Sequence, residues 1–285
     1  MTGALNMNSF KVLNVLAGSS ATDAVNKQQL DDTTALASIS CECRLTLSGG
    51  NLLLSRYNGR RLTINGVSQL IPQAGVTLAP TSLTPTSLYY IYAYMNVSVM
   101  TLEASATAYA IDSATGIAIK SGDATRTLVG MARPVTGPAW ADTAKLRFVR
   151  SWFNDPGVSL FNTFTVNRAT TSLSYVELNA EIRCEFLIWS GEVAQATANG
   201  SLISGAANGA NRSSLAFDGI TAEPGGSQST MNNSDTVPFS APALKVGLSE
   251  GYHYVTLIGL VASGTGTWIA DVDGRRTAIT ARVSR

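Results

Sequence analysis

The 285-residue chain holds one histidine, His253, and three cysteines, Cys41, Cys43 and Cys184. Any Ser–His–Asp or Cys–His nucleophilic scheme has to run through that single imidazole. His253 lies in the apolar run Tyr252–Val261, where a packed, hydrogen-bonded ring is expected. Cys41-x-Cys43 puts two sulfurs on one strand face, but a tetrahedral metal site needs a second ligand pair at matching spacing, and none follows. The cysteines read as small buried hydrophobes. Glu177/Glu181 and Asp271/Asp273 have the residue type that glycoside hydrolysis uses. The first pair falls on a charged strand face and the second flanks a turn, so both read as structural. No G-x-x-x-x-G-K-[ST] loop occurs, and Gly264-Thr265-Gly266 precedes a strand, where a dinucleotide fingerprint needs a helix. The expectation is a protein that is not an enzyme and uses no metal or other cofactor.

Charge and hydropathy narrow the partners. Lys and Arg number 20 and Asp and Glu 19, with no long run of either sign. The counterion-release drive for nucleic-acid binding is therefore missing, and no nucleic-acid partner is expected. Charged residues make up 14% of the chain and the mean hydropathy is +0.13, against about 25% charged in an average soluble domain. No window approaches the ~18 consecutive apolar residues of a membrane span, so no membrane insertion is expected. That much apolar surface is best placed in an obligate oligomer, whose interface resembles a cut core. Met1–Phe10 lacks the pattern of a signal peptide, which fits synthesis in a reducing cytoplasm.

These residues have to be positioned by recognisable elements. In residues 1–37, Thr22 or Asp23 can cap a helix whose thin stripe of Ala24, Val25, Leu30 and Leu36 needs a partner to fold. From about residue 39 the hydrophobic period becomes two. Tyr89–Met95 reads as a strand with Tyr90, Tyr92 and Tyr94 on one face, in core or at an interface. Residues 176–186 alternate without a break, Val176 to Phe186 apolar and Glu177 to Glu185 polar, and read as one half-buried strand. Asn58–Gly59, Asn65–Gly66, Asn199–Gly200, Asn208–Gly209 and Asp273–Gly274 are turn signals. A boundary is expected at Asn154–Gly157. Residues 195–240, rich in Ala, Gly, Asn and Ser, read as long loops, and in them Asn208, Asn211, Arg212, Gln228, Asn232 and Asn233 are the candidate receptor-binding residues. Strands resume at Tyr252–Val261, which is apolar on both faces, then at Trp268–Val272 and Arg276–Val283. The expected fold is all-β. A short helical N-terminal segment (1–37) is followed by two antiparallel β domains (38–153 and 154–285), the second a sandwich, in a homotrimer.

The stretch Met7-Asn-Ser-Phe-Lys11-Val12-Leu-Asn14-Val15-Leu-Ala17, followed by Asp23-Ala24-Val25-Asn26-Lys27-Gln-Gln-Leu30, resembles a motif recurrent in tail-fibre and other virion fibre proteins of tailed bacteriophages. Tyr89-Tyr-Ile-Tyr-Ala-Tyr94, Leu102-Glu-Ala-Ser105, Lys120–Ala132 and Ser151-Trp-Phe-Asn154 look like a β-domain of phage fibres. Glu250-Gly-Tyr-His253 and Gly264-Thr-Gly-Thr-Trp268 look like the jelly-roll tips of trimeric fibres. The resemblance implies a virion location and a short trimeric fibre or spike. Met7, Lys11, Val12, Asn14, Val15, Asp23, Val25, Asn26, Lys27 and Leu30 would attach it to other virion proteins in tail, collar or capsid. Its C-terminal domain would meet a host-surface glycan or protein. A head or collar fibre is the nearest alternative, ahead of a polysaccharide depolymerase spike or a secreted carbohydrate-binding module.

Overall fold

The computed structural model describes residues 40–270 and 274–284, with Leu16 and Ser19. The expected N-terminal helix and the attachment residues from Met7 to Leu30 lie outside the described residues, as do Asp271 and Asp273. Among the described residues the regular structure is β, apart from one 3-10 turn at Ala180–Ile182.

The first half of the chain contains β1 (Cys43–Ser48), β2 (Asn51–Arg56), β3 (Arg61–Ile64), β4 (Val67–Leu70), β5 (Val76–Leu78), β6 (Tyr89–Asn96) and β7 (Val99–Ser105). It continues with β8 (Tyr109–Ile111), β9 (Ala118–Lys120), β10 (Asp123–Ala132), β11 (Pro134–Val135), β12 (Ala139–Trp140), β13 (Leu146–Arg147) and β14 (Val149–Ser151). A sheet of order β1-β2-β5 packs on one of order β7-β6-β10-β9-β8, to which β14 adds beside β10. Leu45, Leu52 and Leu54 of the first meet Ile91, Ala93 and Val129 of the second. Period-two alternation explains this, since alternate residues of each strand turn to one face. Gly130 lets the sheets come close: a Cβ there would sit 2.5 Å from Leu45 of the facing sheet and 2.4 Å from the Arg150 carbonyl oxygen of neighbouring β14. The β3–β4 hairpin turns at Asn65–Gly66 with φ of 51° and 73°, the two positive values that a type I′ turn requires.

The second half contains β15 (Val158–Thr163), β16 (Arg168–Thr170), β17 (Val176–Glu177), β18 (Cys184–Ile188), β19 (Val193–Ser204) and β20 (Gly209–Phe217). After them come β21 (Ser227–Met231), β22 (Thr236–Lys245), β23 (Gly251–Val261), β24 (Gly266–Trp268) and β25 (Ala278–Ser284). One sheet runs β15-β25-β19-β22 and the other β18-β23-β20-β21, with every one of these pairings antiparallel. Taken in chain order, these eight strands cross between the sheets at every step except β20 to β21, which is the winding of a jelly roll. The short strands β24 and β16 extend the first sheet beyond β19, and β13 joins the edge of the second in parallel.

Three readings of the sequence are corrected here. Residues 195–240 are mostly strands β19 to β22, joined by connections of four, nine and four residues. Their small residues are an interior face: Ala194, Ala196 and Ala198 of β19 and Ala241 and Ala243 of β22 are buried against Phe186, Phe217 and Trp268. Asn199–Gly200 is not a turn but lies within β19, where a Cβ on Gly200 would come within 3.0 Å of the Phe239 ring. Residues 176–186 are not one strand. Val176 pairs with Gly259 and Cys184 with Val255, so the six residues 178–183 stand against only two, 256 and 257, of the shared partner. Asn179 causes this: its side chain accepts from the Glu181 N–H at 2.9 Å and caps the 3-10 turn.

At the β6–β7 tip, Val97 holds φ of 58° with its side chain 95% exposed. A β-branched residue in the left-handed region is strained, at a cost of ~1–2 kcal/mol. A two-residue hairpin with positive φ at its first position is the geometry that takes glycine there. Val97→Gly is expected to raise the unfolding free energy by about 1 kcal/mol; a lowered urea midpoint would show that the turn is not strained.

Candidate functional site

The winding sends alternate connections of the jelly roll to opposite ends. The β19–β20 and β21–β22 connections share one end with the turn after β23. There the Gly205 N–H donates to the Thr265 carbonyl at 2.7 Å and the Ser234 N–H to the Ser204 carbonyl at 2.8 Å. This distal end gathers Asn208, Asn232 and Asn233, all exposed. Asn208 holds φ of 53°, a conformation asparagine tolerates, and Asp235 accepts from the Asn232 N–H at 3.0 Å. The remaining candidates are elsewhere. Arg212 Nε donates to Gln228 Oε1 at 2.6 Å across the exposed face of β20 and β21. Asn211 is fully buried beneath them, its amide without a partner among the described residues.

The opposite end is closed by the first half. The β18–β19 turn brings Trp189 and Glu192 against β14. Arg150, 1% exposed, donates from Nε to Asp155 at 2.9 Å, from Nη1 to the Leu187 carbonyl at 2.7 Å, and from Nη2 to Glu192 at 2.8 Å. The second oxygen of Glu192 accepts the Trp189 N–H at 2.9 Å, and the Trp189 indole N–H reaches the Ser151 carbonyl at 3.2 Å. Nearby, Glu250 accepts from the hydroxyls of Tyr90 at 2.6 Å and Tyr109 at 3.1 Å. The tyrosine row thus faces the seam, with Tyr92 buried and its hydroxyl on the Thr107 carbonyl at 2.8 Å, while Tyr94 lies under the Arg126 guanidinium. None of the charged seam partners stood out in the sequence.

The histidine is held from both sides. His253 Nδ1 lies 2.5 Å from Asp218 Oδ2 and Nε2 lies 2.8 Å from the Ser249 carbonyl oxygen. Both neighbours are acceptors, so both ring nitrogens must carry protons. Such an imidazolium has no lone pair with which to activate the Ser249 hydroxyl, although that oxygen is 3.4 Å away. Burial opposes the charge, but the bonds to Asp218 and Ser249 outweigh it and raise the pKa of His253. Asp218 is likewise desolvated, yet its bonds from His253 and the Tyr254 N–H hold its pKa below the ordinary value.

The other groups considered for chemistry are also held. Glu177 takes a bidentate pair from Arg183 at 2.6 Å, and Glu181 pairs with Arg168 at 2.7 Å. These carboxylates are therefore partly covered and paired, not a free solvent face. Burial pushes the Cys184 thiol up to about 12 and raises Cys43 further. Among the described residues no cluster of metal-ligating side chains occurs, and no helix is long and apolar enough to cross a membrane.

No protein-family model and no curated protein sequence matches this chain. Two solved structures are similar at a low level. The first, a structure of infectious bursal disease virus Gx strain, is 8% identical, covers 87% of this chain and 74% of that one, and gives a TM-score of 0.26. The second, the infectious bursal disease virus VP2 subviral particle, is 11% identical, covers 71% and 58%, and gives 0.23. A TM-score of that size carries no argument about function.

Two predictions follow from the seam and the histidine. Arg150→Ala leaves Glu192 buried without its counter-charge and is expected to cost about 3–5 kcal/mol of stability by urea unfolding; a loss below ~1 kcal/mol would refute the arrangement. For His253 the raised pKa means stabilisation that is complete below the ordinary histidine value and lost as pH rises through the folded value. For Asp218 the lowered pKa means stabilisation present above the ordinary aspartate value and lost as pH falls through the folded one. The pair therefore stabilises between these limits. With a single histidine, the imidazole NMR titration is unambiguous: its midpoint should lie above ~6.5, and a midpoint below that would show a neutral ring.

Proposed function

We propose that this chain is a structural virion protein of a tailed bacteriophage, a short homotrimeric fibre or spike. Its N-terminal segment is held by the particle and the distal end of its jelly roll is presented to the host surface. The observation that carries the assembly is the outer face of the β15-β25-β19-β22 sheet. Its outward side chains are mainly Thr, Ser, Gln, Asn and Pro, with Val193, Ile203 and Ala278 partly covered, one charge, Arg282, and Phe161 and Leu244 51% and 61% exposed. Four aligned strands without charge repulsion form a continuous surface that a second copy can cover. Pro238 and Pro242 lie on β22, the edge strand, where proline discourages open-ended strand pairing. A closed ring suits that edge better than a growing sheet.

The placement on a particle rests on the resemblance at Met7–Leu30, and the direction of display on the jelly-roll end left free by the first half. Asn208, Asn232 and Asn233 at that end can donate and accept hydrogen bonds to sugar hydroxyls or to protein.

Light scattering on the purified chain is expected to give three times the 29.9 kDa chain mass, and Phe161→Glu with Leu244→Glu is expected to give a folded monomer. A wild-type monomer at micromolar concentration would sink the trimer. Labelled antibody against the chain is expected to decorate intact particles at an appendage, and unlabelled particles would sink the virion reading.

A further inference from the structure

A cleft of about 390 Å³ lies between the two halves, lined by Arg44–Leu47 of β1, by Asp142 and Arg147, and by the Asp155–Ser159 link into β15. Its size is within the range of small-ligand sites, and the junction of two packed bodies is a common place for one.

Two guanidiniums shape it. Arg44 donates from Nε to the Asn154 carbonyl at 2.8 Å and lies over the Tyr57 ring, 3.9 Å from its centroid. Arg147 donates from Nε to the Ser159 carbonyl at 2.9 Å and from Nη1 to Asp142 at 3.4 Å. Each plane is thus fixed through Nε, which keeps the terminal nitrogens in place for a ligand. The two differ in one respect: Arg147 has a carboxylate partner, whereas Arg44 has no ion-pair partner among the described residues. A fixed guanidinium at a cleft wall without its own counter-charge is suited to a ligand carboxylate. The rest of the lining is mixed. Leu45, Val149 and Val158 supply apolar wall, and Thr46, Ser159 and Asp142 supply hydroxyl and carboxyl groups. A pyranose ring has the same mixture, with C–H faces and an equatorial rim of hydroxyls.

We infer that this cleft binds an acidic sugar residue of the hexuronate type, its carboxylate on Arg44 and its hydroxyls on Asp142, Thr46 and Ser159. Burial, with Asp155 adding, raises the pKa of Asp142 against the opposing pull of Arg147 and Arg150. The Asp142 carboxylate, held by Arg147 Nη1 at 3.4 Å, has lone pairs left to accept from a sugar hydroxyl. The inference stands on the cleft itself and is independent of whether the chain belongs to a virion.

The test is calorimetric titration of the full chain with glucuronate, glucose, acetate and inorganic phosphate. Glucuronate is expected to bind with a dissociation constant of about 1 mM, the scale for a small ligand with one ion pair. Glucose and acetate are each expected to bind at least about 10-fold more weakly. Arg44→Ala should reduce glucuronate binding to the level of glucose, while Arg126→Ala, which pairs with Glu103 outside the cleft lining, should leave it unchanged. If Arg44→Ala fails to fold, Arg44→Lys keeps the charge without the fork and should weaken binding by about 10-fold. Absence of saturable binding by glucuronate would overturn the proposal, as would unchanged binding in the Arg44 variants. Phosphate or acetate binding as tightly as glucuronate would equally overturn it, by showing a general anion seat.

Discussion

Arg150 carries a full charge into a place that water does not reach, and the relative position of the two halves follows from how that charge is met. A buried guanidinium is tolerable only with its N–H groups bonded and its charge balanced. Here the three donors come from β14, while two of the three acceptors, the Leu187 carbonyl and Glu192, come from the jelly roll. The acceptors are tied in turn, since Glu192 also receives the Trp189 N–H and Asp155 also receives the Gly157 N–H. Sliding one half past the other would leave several charged groups buried and unpaired together. Around this network the rings of Tyr92, Phe148 and Trp189 pack with Leu128, Met131 and Leu187. Apolar packing fills the seam, and the ionic network fixes its register.

Some of this was legible in the chain and some was not, for physical reasons. Tyr89–Met95 and the doubly apolar Tyr252–Val261 stood out because large side chains at period two leave little else to be made of them, and the strands extend each by one residue. The region 195–240 misled because Ala, Ser, Gly and Asn are the residues of loops and also of a sheet face packed close to large rings. The alternation Ala194, Ala196, Ala198 was the signal, and only the hydrophobicity of alanine is too small to make it loud. At 176–186 the alternation of burial survives on either side of the 3-10 turn, so pattern alone could not reveal that Asn179 redirects the backbone. The seam was hidden for a different reason. Arg150 and Glu192 are 42 residues apart, and a lone charge on a short strand looks the same in sequence whether it faces solvent or a buried partner.

The candidate binding residues show the same division. Asn208, Asn232 and Asn233 were picked for composition, and the jelly-roll winding brings them to one end because consecutive connections alternate between ends. The same rule separates them from Glu250, in the β22–β23 connection, and from His253, near the start of β23, on the end facing the first half. Asn211 is three residues from Asn208, yet it points inward because the strand begins at Gly209 and alternation then assigns its face. A polar residue next to a loop inherits its environment from the strand's parity, not from its neighbours' composition.

Fixing the seam also sets what the cleft beside it can do. Many sites between packed bodies work by closure, in which part of the binding energy is consumed by moving the bodies together. Here Arg150 and Asp155 belong to the same network that borders the cleft, so closure would require breaking buried ion pairs. The cleft is therefore held open at one width, with the Arg44 and Arg147 forks anchored to backbone carbonyls before any ligand arrives. Such a site loses little to reorganisation on binding, and its selectivity comes from the fit of a ready-made outline. A ligand can then be gripped without moving one half against the other, so the buried Arg150–Glu192 pair stays intact in the bound state.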